Sequence, residues 1–133
     1  MKLQLSLGLL ALCALAQAAP AADPAAQMAP TSIMICNGAN YISCLSIPYT
    51  SPVCVNLTGG LGIFNKEISS VQVPAGFTCT FFSSFSCTTN GLNGDFAILL
   101  GGTGYNTLTS VMGLSSTVNF DNKASSYLCS PLF

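Results

Sequence analysis

Six cysteines, Cys36, Cys44, Cys54, Cys79, Cys87 and Cys129, are the strongest constraint on how this chain folds, because it carries little else that could fix a structure covalently or by charge. Only 5% of the 133 residues are charged, against about a quarter in an ordinary globular domain. An even set of cysteines in a short exported chain reads as a disulfide framework. Neither a C-x₂-C pair nor a histidine is present, which argues against a zinc site. Fifteen pairings of six cysteines exist, and spacing alone does not choose among them. The charge count excludes further classes. With three lysines and no arginine, no basic surface can neutralise a nucleic-acid backbone. The lack of histidine removes Ser-His, Cys-His and His-metal chemistry.

The seventh cysteine, Cys13, lies in a segment expected to be removed. Lys2 precedes an apolar run from Leu3 to Ala16, and Ala16-Gln17-Ala18 supplies small residues for signal-peptidase cleavage. Residues 1–18 therefore read as a signal peptide, too short to span a bilayer. Residues 19–30 form an Ala/Pro-rich leader, and residues 31–133 the folded domain. After cleavage, Lys66 and Lys123 stand against Asp23, Glu67, Asp95 and Asp121. A second uncharged stretch, Phe96 to Phe120, is broken by Gly101, Gly102, Gly104, Asn106, Gly113 and Asn119, which suits strands and loops better than a membrane helix. Only Ser130-Pro131-Leu132-Phe133 follows Cys129, leaving no room for a lipid-anchor tail. The expectation is an exported, extracellular monomer with no transmembrane segment.

Beyond residue 30 the pattern is that of strands. Runs rich in β-branched and aromatic residues occur at Ser32–Cys36, Ile42–Ile47, Pro52–Leu57, Ser69–Val73, Phe77–Phe82, Phe96–Leu100 and Thr107–Val111, separated by Gly, Pro, Asn and Ser. Val71 and Val73 alternate with Ser70 and Gln72, the period of a half-buried strand. Many short strands predict an all-β antiparallel sandwich or barrel.

The domain also repeats. Cys36 and Cys44 are eight residues apart, as are Cys79 and Cys87. Each pair is followed by a related hexapeptide, Asn65-Lys66-Glu67-Ile68-Ser69-Ser70 and Asp121-Asn122-Lys123-Ala124-Ser125-Ser126, and each hexapeptide by a strand. The first cysteine and the hexapeptide are 29 residues apart in one copy and 42 in the other; the extra length is assigned to Thr88–Gly94 and Gly101–Ser116. Motif one covers about residues 31–76 and motif two about 77–130. Two four-strand units make an eight-strand, two-sheet Greek-key sandwich.

These hexapeptides resemble the (N/D)-(N/D)-x-x-(S/T)-S pattern of the βγ-crystallin superfamily. Asp121, Asn122, Ser125 and Ser126 meet all four defined positions, and the first copy departs only at Lys66. Phe77-Thr-Cys-Thr-Phe-Phe82, running on to Phe85, resembles that family's aromatic folded hairpin. The layout is similar to small, secreted, cysteine-rich βγ-crystallin-like proteins of fungi, killer toxins among them. The resemblance implies that each Greek key lends its last strand to the other key's sheet, and hence bridges Cys36–Cys44, Cys79–Cys87 and Cys54–Cys129. It also implies Ca²⁺, which takes six to eight oxygen ligands in flexible geometry. Asp121, Asn122 and Ser125 would supply side-chain oxygens and Lys123 its carbonyl. Asn65 and Ser69 would form a degenerate half-site, since the Lys66 ammonium repels a cation there. At most one weak site is expected. The alternative is that these residues only make turn hydrogen bonds ahead of a strand.

Asn56-Leu57-Thr58 is a glycosylation sequon, with Asn56 expected to face outward. Enzymatic chemistry is not expected: the folded domain offers three carboxylates, Glu67, Asp95 and Asp121, and no base to activate a serine. Phe81, Phe82 and Phe85 suit core and hairpin packing better than a carbohydrate platform. A hydrophobin-like film former is disfavoured because Cys-Cys doublets are missing. The function expected is therefore a secreted, non-catalytic factor acting on other cells as a toxin or effector, with a structural wall or matrix protein as the alternative. Scarce positive charge disfavours lysis of anionic membranes.

Overall fold

Alternation sets the first strand. In β1 (Ser32–Gly38), Ile33 and Ile35 are buried while Ser32, Met34 and Asn37 are partly exposed, as expected of a strand with one face on a core. A computed structural model describes residues 31–49 and 52–132. The expected signal peptide and leader lie outside these residues. The chain turns through Asn40 and Tyr41, both left-handed at φ 58° and 61°, and returns as β2 (Ile42–Pro48), with Cys36 opposite Cys44. Eight further strands follow: β3 (Val55–Asn56), β4 (Ser70–Gln72), β5 (Phe77–Phe82), β6 (Phe96–Leu100), β7 (Gly104–Tyr105), β8 (Val111–Met112), β9 (Thr117–Val118) and β10 (Ser126–Pro131).

Two sheets result, one ordered β2-β1-β4-β7 and the other β3-β10-β5-β6-β8-β9, with every pairing antiparallel. The all-β, two-sheet, disulfide-stapled architecture read from the sequence is thus present. Three expected strands shrink: Pro52–Leu57 keeps only β3, Ser69–Val73 narrows to β4, and Thr107–Val111 contributes only its last residue. The extra length of motif two includes the small β8–β9 hairpin.

The exchange between motifs differs from the expectation. The third strands cross over, not the last: β3 joins β10 in the second sheet, and β7 joins β4 in the first. The last strands stay with their own motifs, β4 beside β1 and β10 beside β5. This register also corrects the expected bridges. Cys36–Cys44 forms as expected, but Cys79 pairs with Cys129 and Cys54 with Cys87, replacing Cys79–Cys87 and Cys54–Cys129. Cys79 lies directly opposite Cys129 across β5 and β10. Cys87 sits in a 3₁₀ turn (Phe85–Cys87), out of line with Cys79.

Ile33, Ile35 and Val71 from one sheet face Phe81, Leu99 and Tyr127 from the other in a single core. Phe81 and Tyr127 stack with ring centroids 5.1 Å apart. Burial pushes the Tyr127 phenol up to about 12, while in an unfolded chain it titrates near 10. The folded state therefore holds this proton more tightly, and the stability so gained is complete below about pH 10 and lost as pH rises towards 12. Urea midpoints should fall between mildly and strongly alkaline pH, and Tyr127→Phe should flatten that fall. A wild-type-like slope in the variant would rule out Tyr127 as its source.

Candidate functional site at the paired hexapeptides

The two hexapeptides, far apart in sequence, lie against each other. In each, the second residue takes the left-handed conformation, Lys66 at φ 61° and Asn122 at φ 58°, which asparagine adopts more readily than lysine. Their backbones interlock reciprocally. The Lys66 N–H donates to the Ala124 carbonyl at 2.8 Å, and the Asn122 N–H to the Ile68 carbonyl at 3.0 Å. The fourth residues, Ile68 and Ala124, are fully buried beneath this contact.

The sixth residue does the same job in both copies. Ser70 Oγ donates to the Gly38 carbonyl at 2.6 Å and accepts from the Tyr41 N–H at 3.1 Å. Ser126 Oγ donates to the Ser84 carbonyl at 2.6 Å and accepts from the Cys87 N–H at 2.9 Å. Both serines are 0% exposed, and each hydroxyl both donates and accepts inside the protein, clasping the first hairpin of its motif to the last strand.

The second and fifth residues break the symmetry. On one side Ser69 Oγ donates to Asn122 Oδ1 at 3.1 Å, and Asn122 Nδ2 reaches Asp121 Oδ2 at 3.5 Å. On the other, the Lys66 ammonium donates to the Lys123 carbonyl at 2.8 Å and to the Ser83 carbonyl. The residues named together from one hexapeptide are therefore divided. Asn122 meets Ser69 of the opposite motif, and the Lys123 carbonyl faces Lys66. Ser125 is buried, its N–H donating to the Phe82 carbonyl and its own carbonyl accepting from the Leu57 N–H. Asn65 Oδ1 is buried without a hydrogen-bond partner.

The two sides differ in what they can hold. Oxygens bound side by side to one Ca²⁺ at about 2.3–2.6 Å are themselves roughly 3 Å apart. The 3.1 Å between Ser69 Oγ and Asn122 Oδ1 fits that spacing. The Lys66 side does not fit a metal, since a cationic group already stands between its two carbonyls. Among the described residues, no three His, Cys, Asp or Glu side chains cluster as metal ligands would.

Asp95, the one charged residue of the folded domain outside the hexapeptides, organises the preceding loop. Its Oδ2 accepts from the N–H groups of Asn90 and Leu92 at 3.0 and 3.3 Å and from Thr89 Oγ1 at 3.4 Å. Sequence reading missed this role, although an aspartate closing a Gly/Asn-rich stretch is the available signal. An apolar cavity of about 160 Å³ is lined by Ile33, Tyr49, Val55 and Tyr127 among others, with no carboxylate among the described residues that line it. Asn56 is exposed on β3, its Oδ1 accepting from the Ser86 N–H at 2.6 Å. Of the three phenylalanines weighed as a platform, Phe81 is buried, Phe82 is tilted against Phe96, and Phe85 is exposed.

Comparison with known proteins bears on the fold alone. No family model and no curated protein matches the sequence. Among solved structures, the N-terminal domain of protein S is similar with a TM-score of 0.55 at 20% identity, over 76% of this chain and 97% of that one. A βγ-crystallin domain from Clostridium beijerinckii aligns with a TM-score of 0.51 at 16% identity, over 74% and 95% of the two chains. A clostrillin double mutant, solved in complex with nickel, aligns with a TM-score of 0.52 at 15% identity, again over 74% and 95%. Two Greek keys that exchange strands between two sheets, clasped through paired hexapeptides, give this chain the βγ-crystallin fold.

Proposed function

We propose that the protein is exported and acts outside the cell without catalysis, as a durable cross-linked component of the wall or matrix. One observation carries this reading: the polar side chains of the repeat are spent on holding the fold together, within each motif and between the two. Ser70, Ser126 and Lys66 each bridge distant segments, and Asp95 is spent on a loop. Three disulfides suit an oxidising compartment. A nearly uncharged surface, with Ile42, Val53 and Ile63 exposed, suits contact with other extracellular material better than a charge-driven attack on membranes. Purified protein should fractionate with the wall and leave microbial and plant test cells growing normally. Growth inhibition or a cell response would replace this reading with the toxin or effector one.

A single weak Ca²⁺ site belongs to the same proposal, placed between Asn122 and Ser69, with Asp121 as the neighbouring carboxylate. Its ligands are mostly neutral oxygens, which accounts for low affinity. Calorimetric titration should show one weak binding event that Asn122→Ala and Ser69→Ala both remove. No heat from the native protein would end the calcium proposal.

A further inference from the structure

We infer that the Lys66 ammonium acts as a tethered cation, permanently occupying one of the two pseudo-symmetric positions where the hexapeptides meet, so that this half of the fold needs no metal. Three observations carry it. The ammonium lies between two backbone carbonyls, Lys123 and Ser83, contributed by segments 57 and 17 residues away. A positive group held by converging carbonyl oxygens is the arrangement that a bound cation makes. The same chain position in the other hexapeptide holds Asn122, which presents a neutral oxygen to Ser69. The Lys66 backbone also keeps the left-handed conformation that Asn122 has at the same position, although lysine favours it less, so the two positions are equivalent in backbone and differ in the group they carry. The tethered charge is covalently part of the chain, so neither dilution nor a chelator can remove it.

Two substitutions separate this role from ordinary surface packing. Lys66→Met should lower the melting temperature by roughly 4–8 °C, equally in EDTA and in millimolar Ca²⁺. Lys66→Asn should be similarly weakened in EDTA, should recover in Ca²⁺, and should bind one more calcium per chain than the wild type. A second measurement does not depend on either variant folding. Lys66 and Lys123 are both exposed, so in nitrogen-15-labelled native protein at mildly acidic pH the Lys66 ammonium signal should outlast that of Lys123 only if its two carbonyl partners hold it. An unchanged melting temperature in Lys66→Met, no added calcium in Lys66→Asn, or equal loss of both ammonium signals would each overturn the inference. The outcome is separable from the Asn122 site: a wild type that binds no calcium removes that site and leaves the tethered cation standing.

Discussion

The double variant Cys79→Ala/Cys129→Ala is expected to lose about 4 kcal/mol of stability. This bridge closes 50 residues of chain, and the conformational freedom denied to the unfolded state grows with the logarithm of that length. Its half-cystines are also nearly inaccessible, at 0% and 5% exposure, and lie on strands at the centre of the second sheet. Cys36→Ala/Cys44→Ala provides the internal comparison. That bridge spans eight residues and Cys44 is exposed, so the loss should be nearer 2–3 kcal/mol. Urea unfolding of both double variants checks the order. Equal losses would mean that native-state packing outweighs chain entropy.

Ser70→Ala and Ser126→Ala should each cost about 2–3 kcal/mol, because each deletion strands an N–H and a carbonyl that had been satisfied by one hydroxyl. The neighbouring Ser69→Ala should cost less than about 1 kcal/mol, since its bond to Asn122 is only partly buried. Calcium titration should give the reverse order, with Ser69→Ala losing the binding that Ser70→Ala retains. Adjacent serines of one hexapeptide would then be separated into a calcium ligand and a structural clasp. Chemical denaturation alongside calorimetry on the same three variants makes the test. Equal destabilisation by Ser69→Ala and Ser70→Ala would break the assignment.

Much of this arrangement was legible in the residues, and the parts that were not have identifiable reasons. The duplicated hexapeptide marked the segments that meet, and alternation at Val71 and Val73 marked a strand facing the core. Strand exchange was taken from the family resemblance and misread, and the strands that cross over, Val55–Asn56 and Gly104–Tyr105, are two residues long and leave no periodic trace that could have corrected it. The cysteine pairing was misread because equal spacing does not mean equal register. In motif one, β2 returns at once and sets Cys44 opposite Cys36. In motif two, the segment from Ser83 to Asp95 delays β6 until Phe96, so Cys79 faces Leu99 on one side and Cys129 on the other. Lys66 was read as a residue that repels a metal. Its bonds to carbonyls 17 and 57 residues away depend on how the motifs dock, which no local pattern encodes.

The disulfide connectivity also sets how far the molecule can be stretched. Entering at Thr31, a covalent path runs to Cys36, crosses to Cys44, continues to Cys54, crosses to Cys87, doubles back to Cys79 and leaves through Cys129. Most of the chain lies in loops off this path and bears no load. Pulled from its ends with every strand pair broken, the domain would extend to roughly 100 Å, where an unbridged chain of this length would reach roughly 350 Å. The bridges thus act as a stop on mechanical extension, one that persists after the hydrogen bonds and the core have given way.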